Sequence, residues 1–179
     1  MNTTLKTIAI ALLFSLTALF TQKVKAQVTA GVGFAYGSKI STVGINITGQ
    51  FFITENIAVA PAFTYYFPDT VGIIIGYKRK WYEVNVDANY YPKLNIIDGK
   101  LKPYGLAGVN YSIISFPNYT YFGTINNDDL TSSKFGVNVG AGAEFDMGKK
   151  ITPFVQLKYT IGFDSLNQAQ IAAGIRFKF

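Results

Sequence analysis

Along the stretch WYEVNVDANYY, residues 81–91, polar and apolar positions alternate. Glu83, Asn85, Asp87 and Asn89 fall between Tyr82, Val84, Val86, Ala88 and Tyr90. A period of two marks a β-strand with two unlike faces. The alternation recurs down the chain and predicts eight strands, at about 28–36, 42–53, 57–67, 77–91, 102–114, 134–145, 151–163 and 168–179. In the second, Val43, Ile45, Ile47 and Phe51 oppose Asn46, Thr48 and Gln50. In the sixth, Phe135, Val137 and Val139 oppose Gly136, Asn138, Gly140 and Glu144. In the seventh, Val155, Leu157, Tyr159 and Ile161 oppose Gln156, Lys158 and Thr160, and in the eighth Ile171, Ile175, Phe177 and Phe179 oppose Gln170, Arg176 and Lys178. Pro61, Pro103 and Pro153 stand near the starts of the third, fifth and seventh strands, where a missing ladder donor costs least. No stretch downstream of residue 27 has a helical period. The connections alternate between tight ones such as TEN and DMGKK and a long one, SFPNYTYFGTINNDDLTSSK, as in an up-and-down meander.

Periodicity alone does not say which face is inside; composition does. Charged residues are 15% of the chain, against about 25% in a usual soluble domain. The polar faces are rich in Gly, Ala, Asn, Thr and Gln, and suit the narrow interior of an eight-stranded barrel, which side chains just fill. The bulky apolar faces suit lipid, and the segments reach the roughly 9–11 residues that a tilted membrane strand needs. Aromatics gather near strand ends (Tyr65, Tyr66, Phe67, Tyr82, Tyr90, Tyr91, Phe177, Phe179) and read as interfacial girdles. The expected fold is therefore all-β, an eight-stranded antiparallel up-and-down transmembrane barrel with both termini on the periplasmic side. A secreted soluble β-sandwich or lipocalin-like barrel would leave the low charge and the Gly/Ala-rich polar faces unexplained.

This parity places Glu83, Asp87 and Glu144 inside with Lys158, Arg176 and Lys178. Three acids balanced by three bases predict a hydrogen-bonded plug of side chains more than a charged ion path. Lys78, Arg79 and Lys80, beside Trp81, are candidate rim contacts for lipopolysaccharide phosphates; an ordinary charged rim would carry the same residues.

Residues 1–26 read as a signal peptide, with Lys6, the apolar run IAIALLFSLTALF and a small Ala26 before the cut; residues 27–179 are then the barrel domain. Gln27 stands where a lipoprotein would have Cys. Without residues 1–26 the chain keeps 13 basic and 10 acidic residues, near +3, which is no charge balance for nucleic acid. With no His and no Cys there is no catalytic triad and no thiolate or imidazole metal site. Glu83 and Asp87 lie four residues apart on one strand, about 13 Å, too far for a retaining carboxylate pair. No enzyme activity and no cofactor are expected. The spaced glycines of GVGFAYG and GVNVGAGAEF lack the strand–turn–helix setting of a nucleotide site and read as space for large neighbours. DTV (69–71) and DSL (164–166) match a three-residue O-glycosylation motif of one Gram-negative phylum, and equally ordinary turn chemistry.

The chain closes on AQIAAGIRFKF, with Ile175, Phe177 and Phe179 on one face. This resembles the assembly signal of outer-membrane barrels. Together with FGVNVGAGAEF and ITPFVQLKYTIGF, residues 27–179 resemble the outer-membrane β-barrel domain family, which includes small OmpA- and OmpX-type barrels. The resemblance implies integral residence in a Gram-negative outer membrane, contact with its lipid and lipopolysaccharide, and recognition of the C-terminal strand by the barrel assembly machinery. The family shares architecture more than activity. The expected function is a non-enzymatic cell-surface barrel presenting loops, mainly 115–133 and 68–77, for adhesion to a surface protein or host ligand or for envelope interaction. A narrow channel for small solutes or ions, and an accessory factor in protein secretion or envelope assembly, are the alternatives.

Overall fold

Among the described residues ten strands follow one another: β1 (Val28–Gly37), β2 (Thr42–Phe52), β3 (Ile57–Val71), β4 (Tyr77–Tyr90), β5 (Leu101–Phe116), β6 (Tyr119–Tyr121), β7 (Thr124–Asn126), β8 (Leu130–Phe145), β9 (Ile151–Gly162) and β10 (Gln168–Lys178). The computed structural model describes residues 27–71, 77–116, 119–121, 124–126, 130–148, 150–163 and 167–179. The DSL segment therefore lies outside the described residues, and of DTV only the backbone is described.

Eight strands close into an antiparallel barrel in the order β1-β10-β9-β8-β5-β4-β3-β2. Closure pairs the first strand with the last, from Thr29↔Lys178 to Gly37↔Gln170. No barrel strand is left as an unpaired edge, the condition for placing strands in lipid. β6 and β7 form a separate small ladder within the long connection that the sequence pattern left as a loop. At three residues each they are too short for alternation to register.

β5 and β8 are 16 residues each, longer than the alternation predicts. Their ladder runs on to Phe116↔Leu130, whereas the β8–β9 ladder stops at Gly136↔Gly162. Backbone pairing thus holds Leu130–Phe135 in an extended ribbon of about 20 Å beyond β9, although Thr131, Ser132 and Ser133 show no apolar face. The barrel wall is tall along β5–β8 and low at the four-residue β1–β2 turn. In β3 the register slips between Tyr66↔Trp81 and Asp69↔Arg79. The extra residue sits at Phe67–Pro68, and a bulge is where a residue without an N–H fits into a strand.

The polar faces point in. Asn85 and Lys158 are 0–1% exposed, while Phe34 and Phe135 on the apolar faces are above 60%. Inward glycines make room for the large polar groups. A Cβ on Gly108 would meet Asp87 Oδ1 at 2.3 Å, and one on Gly142 would meet the Tyr104 ring at 2.4 Å. Outside, Tyr82 stacks on Tyr65 and Phe63. Tyr66 and Tyr91, expected in the interfacial girdles, are instead buried in the lumen. They share parity with Thr64 and Asn89, and each phenol finds a carboxylate inside.

Candidate functional site

The lumen is built in three levels between two unlike ends. The start of β1 and the end of β10 lie at one end, here the terminal rim; the β1–β2 turn and the tall β5–β8 ribbon lie at the other, the far rim.

Nearest the far rim, Glu83 of β4 is enclosed by neutral donors. Gln168 Nε2 donates to its Oε1 at 2.6 Å, Gln170 Nε2 to its Oε2 at 3.1 Å, and the Tyr66 hydroxyl to Oε2 at 3.3 Å. Both glutamines also donate to the Tyr66 oxygen, at 3.1 and 2.7 Å. Beyond this group sits an apolar cap of Ile40, Tyr66, Trp81 and Ile114. Ile40 comes from the β1–β2 turn, which bends over the lumen at Ser41 (φ 56°). Arg79 fastens that turn: its Nη2 donates to the Ile40 carbonyl at 3.1 Å, and its guanidinium lies 5.6 Å from the Trp81 ring centre.

In the middle, Asp87 meets Lys158 Nζ at 3.4 Å. Asn138 bridges by donating to Asp87 Oδ1 (2.7 Å) and Asn85 Oδ1 (2.9 Å), while Asn110 donates to Asn85 (2.8 Å) and Ser112 and Thr160 donate to the Asn110 and Asn138 oxygens. The group ties β4, β5, β8 and β9 together across the bore. Glycines opposite the two ions, Gly108 facing Asp87 and Gly140 facing Lys158, are what let these side chains turn into the centre.

Toward the terminal rim, Arg176 Nη1 donates to Glu144 Oε1. Tyr91 donates to the same oxygen at 2.5 Å, and Gln50 Nε2 reaches both the Tyr91 hydroxyl (2.6 Å) and Glu144 (3.1 Å). The guanidinium lies 4.1 Å from the Phe154 ring centre. Below this level the lumen widens into a cleft of about 640 Å³ open at the terminal rim.

Five of the sequence-predicted interior charges, Glu83, Asp87, Glu144, Lys158 and Arg176, are therefore in the lumen, but divided among three levels. Lys178 is not among them. It lies two residues beyond Arg176, where the barrel opens, and its Nζ pairs at 3.0 Å with Asp146 in the β8–β9 turn. Lys102 joins the same carboxylate at 2.7 Å, and the Gly148 amide at 3.0 Å. These donors, Lys102 first, hold the Asp146 carboxyl well below its ordinary range. Of the three rim bases, Arg79 turns inward and is engaged by the turn, and Lys80 is half-buried on the opposite parity. The backbone of Lys78 pairs with Thr70, and its side chain lies outside the described residues. Ile175 and Phe177 face outward on β10, and the Phe179 amide donates to the Val28 carbonyl at 3.1 Å, so the terminal residue extends the closing seam.

The side chains missed from sequence are Tyr66, Tyr91 and Gln168, which donate to the two glutamates, and Tyr104, which donates to Gln156 and accepts from Arg176. Strand parity carried two residues further, from Thr64 to Tyr66 and from Asn89 to Tyr91, would have found the first two. Among the described residues no group of three acidic side chains could hold a metal ion.

The model of the outer membrane protein beta-barrel domain family matches residues 7–179. No curated protein matches the chain. Solved structures share its fold at low identity. The N-terminal β-barrel domain of Pseudomonas aeruginosa OprF is 16% identical with a TM-score of 0.63, over 86% of this chain and 98% of that one. Ail, the attachment invasion locus protein of Yersinia pestis, is 16% identical with a TM-score of 0.59, over 87% and 100%. Neisserial surface protein A is 19% identical with a TM-score of 0.53, over 86% and 96%.

Proposed function

The chain belongs to the outer membrane protein beta-barrel domain family, and on that premise we propose that it is a non-enzymatic surface barrel whose far-rim loops make its functional contacts. The observation that supports this reading is the filling of the lumen. The apolar cap over Glu83 and the Asp87–Lys158–Asn138 group below it put buried side chains across the bore at two levels, which supports a filled lumen. A filled bore directs function to what the barrel displays. The tall β5–β8 ribbon runs on to Phe116 and Leu130, and the sequence between them, rich in Tyr, Asn and Asp, suits adaptable polar contacts. Ail, a barrel of the same fold, is an attachment protein by name, and adhesion is the property this reading carries over. In this reading the terminal rim is periplasmic, lipid covers the apolar wall, the assembly machinery engages Ile175, Phe177 and Phe179, and Lys78 and Lys80 meet lipopolysaccharide phosphates at the outer interface.

Replacing 117–129 by a two-residue turn tests this. Loss of binding to cells or to lipopolysaccharide, with heat-modifiable gel mobility retained, is the expected result. Unchanged binding would remove the loop from the account. A second reading, a narrow channel, draws on the Asn89 amide, whose two polar atoms are buried without a hydrogen-bond partner and so suit internal water. It requires the cap to move.

A further inference from the structure

The cleft at the terminal rim does more than end the barrel. Its mouth carries Lys93, Lys102 and Lys178, and its inner end is formed by Glu144, Thr152 and Arg176. At about 640 Å³ it falls within the range of small-molecule sites, roughly 300–1,000 Å³. Two observations give it a polarity. First, Arg176 Nε and Thr152 Oγ1 are buried without a hydrogen-bond partner, in residues 1–2% exposed. Arg176 and Thr152 are directly paired positions of β10 and β9, so the two side chains leave neighbouring strands at one level. Buried donors are ordinarily satisfied, and an exception calls for a group that the protein itself does not supply. Second, the mouth has a surplus of positive charge. Lys93 is matched by Glu55 at 3.0 Å, but Lys102 and Lys178 share the single carboxylate of Asp146.

We propose that this cleft is a binding site for a small anion, a carboxylate- or phosphate-bearing molecule, drawn in by Lys102 and Lys178 and seated on Arg176 Nε and Thr152 Oγ1. Arg176 Nη1 is already committed to Glu144 and Nη2 reaches the Tyr104 hydroxyl at 3.4 Å, which leaves Nε as the guanidinium donor without a partner. Tyr91 and Gln50 also donate to Glu144 Oε1, so that oxygen is held by three donors. The site lies at the end opposite the loops and does not depend on what they bind. Phosphate chemistry at this rim has two sources, a soluble solute and a phospholipid headgroup.

The test is titration calorimetry of the refolded 27–179 chain in maltoside micelles, with inorganic phosphate and citrate as probes at constant ionic strength. Saturable binding of at least one probe is expected, weakened about tenfold or more in both Thr152→Val and Lys178→Gln. Thr152→Val keeps the shape and removes only the unmet hydroxyl, and Lys178 is at the rim. Gel mobility verifies that each variant folds before it is titrated. Doping the micelles with phosphatidylglycerol separates the sources: competition assigns the site to a headgroup, and undiminished binding assigns it to a soluble anion. Absence of saturable binding for both probes, or an affinity untouched by Thr152→Val, overturns the proposal and leaves the two donors to water.

Discussion

Glu83 and Glu144 are both buried carboxylates in one lumen, yet the two ends of the barrel satisfy them differently. At the far end Glu83 is held by three neutral partners, Tyr66, Gln168 and Gln170, beneath an apolar cap. At the terminal end Glu144 is held by Arg176, with Tyr91 and Gln50 in support, in a cleft open to solvent. A neutral network can re-pair within itself when a member is lost, because Gln168 and Gln170 already donate to the Tyr66 oxygen. An ion pair cannot, since losing one partner strands the other charge. One end is thus built for closure and the other is held by charge.

The largest expected effect follows from that difference. Glu144→Ala leaves Arg176 unpaired and should cost about 3–5 kcal/mol in denaturant unfolding of the refolded barrel. Glu83→Ala leaves neutral donors that can find one another and should cost about 1–3 kcal/mol. Equal losses would erase the contrast between the two ends. Next in size, Val139→Arg puts a charge on the lipid face and should cost about 2–4 kcal/mol of membrane folding stability; Asn85→Ser should cost less. The opposite order would mean that the faces are assigned the wrong way round.

Acid sharpens the comparison from the terminal side. The Asp146 carboxyl titrates below its ordinary range because Lys102 and Lys178 favour its charged form. A group with a depressed folded-state pKa adds stability above its unfolded value, about 3.9, and loses it as pH falls toward the folded value. Wild-type stability should therefore drop below about pH 4, and the drop should be shallower in Asp146→Asn. The smallest change is a gain. Ile97, in the β4–β5 turn, sits at φ 50° beside Asp98 and Gly99, which share positive φ. A β-branched residue is strained there, and Ile97→Asn should stabilise by about 1 kcal/mol in the same unfolding assay.

The architecture was legible because a barrel wall repeats one rule. Alternation along Val28–Gly37 or Ile151–Gly162 marks both the strand and its faces, and the low charge content with the small residues of the polar faces pointed to the apolar face as the outer one, where the structure has it. What the rule could not deliver was partnership. That Glu83 of β4 meets Gln168 and Gln170 of β10 depends on how far the strands are staggered around the barrel, and no local pattern encodes that stagger. Lys178 shows a second limit. Its parity is inward, but parity stops having meaning where the wall ends, and the side chain finds Asp146 at the rim. The ribbon at Leu130–Phe135 shows a third, because pairing between neighbours holds it extended where its own sequence does not alternate.

Planar-bilayer conductance of the refolded 27–179 chain, with insertion verified by heat-modifiable mobility, tests the central claim most directly. A lumen closed by the Ile40–Tyr66–Trp81–Ile114 cap and the Asp87–Lys158 group should give no reproducible conductance. Steady, ion-selective conductance that changes with Lys158→Ala would contradict the account and make the barrel a channel.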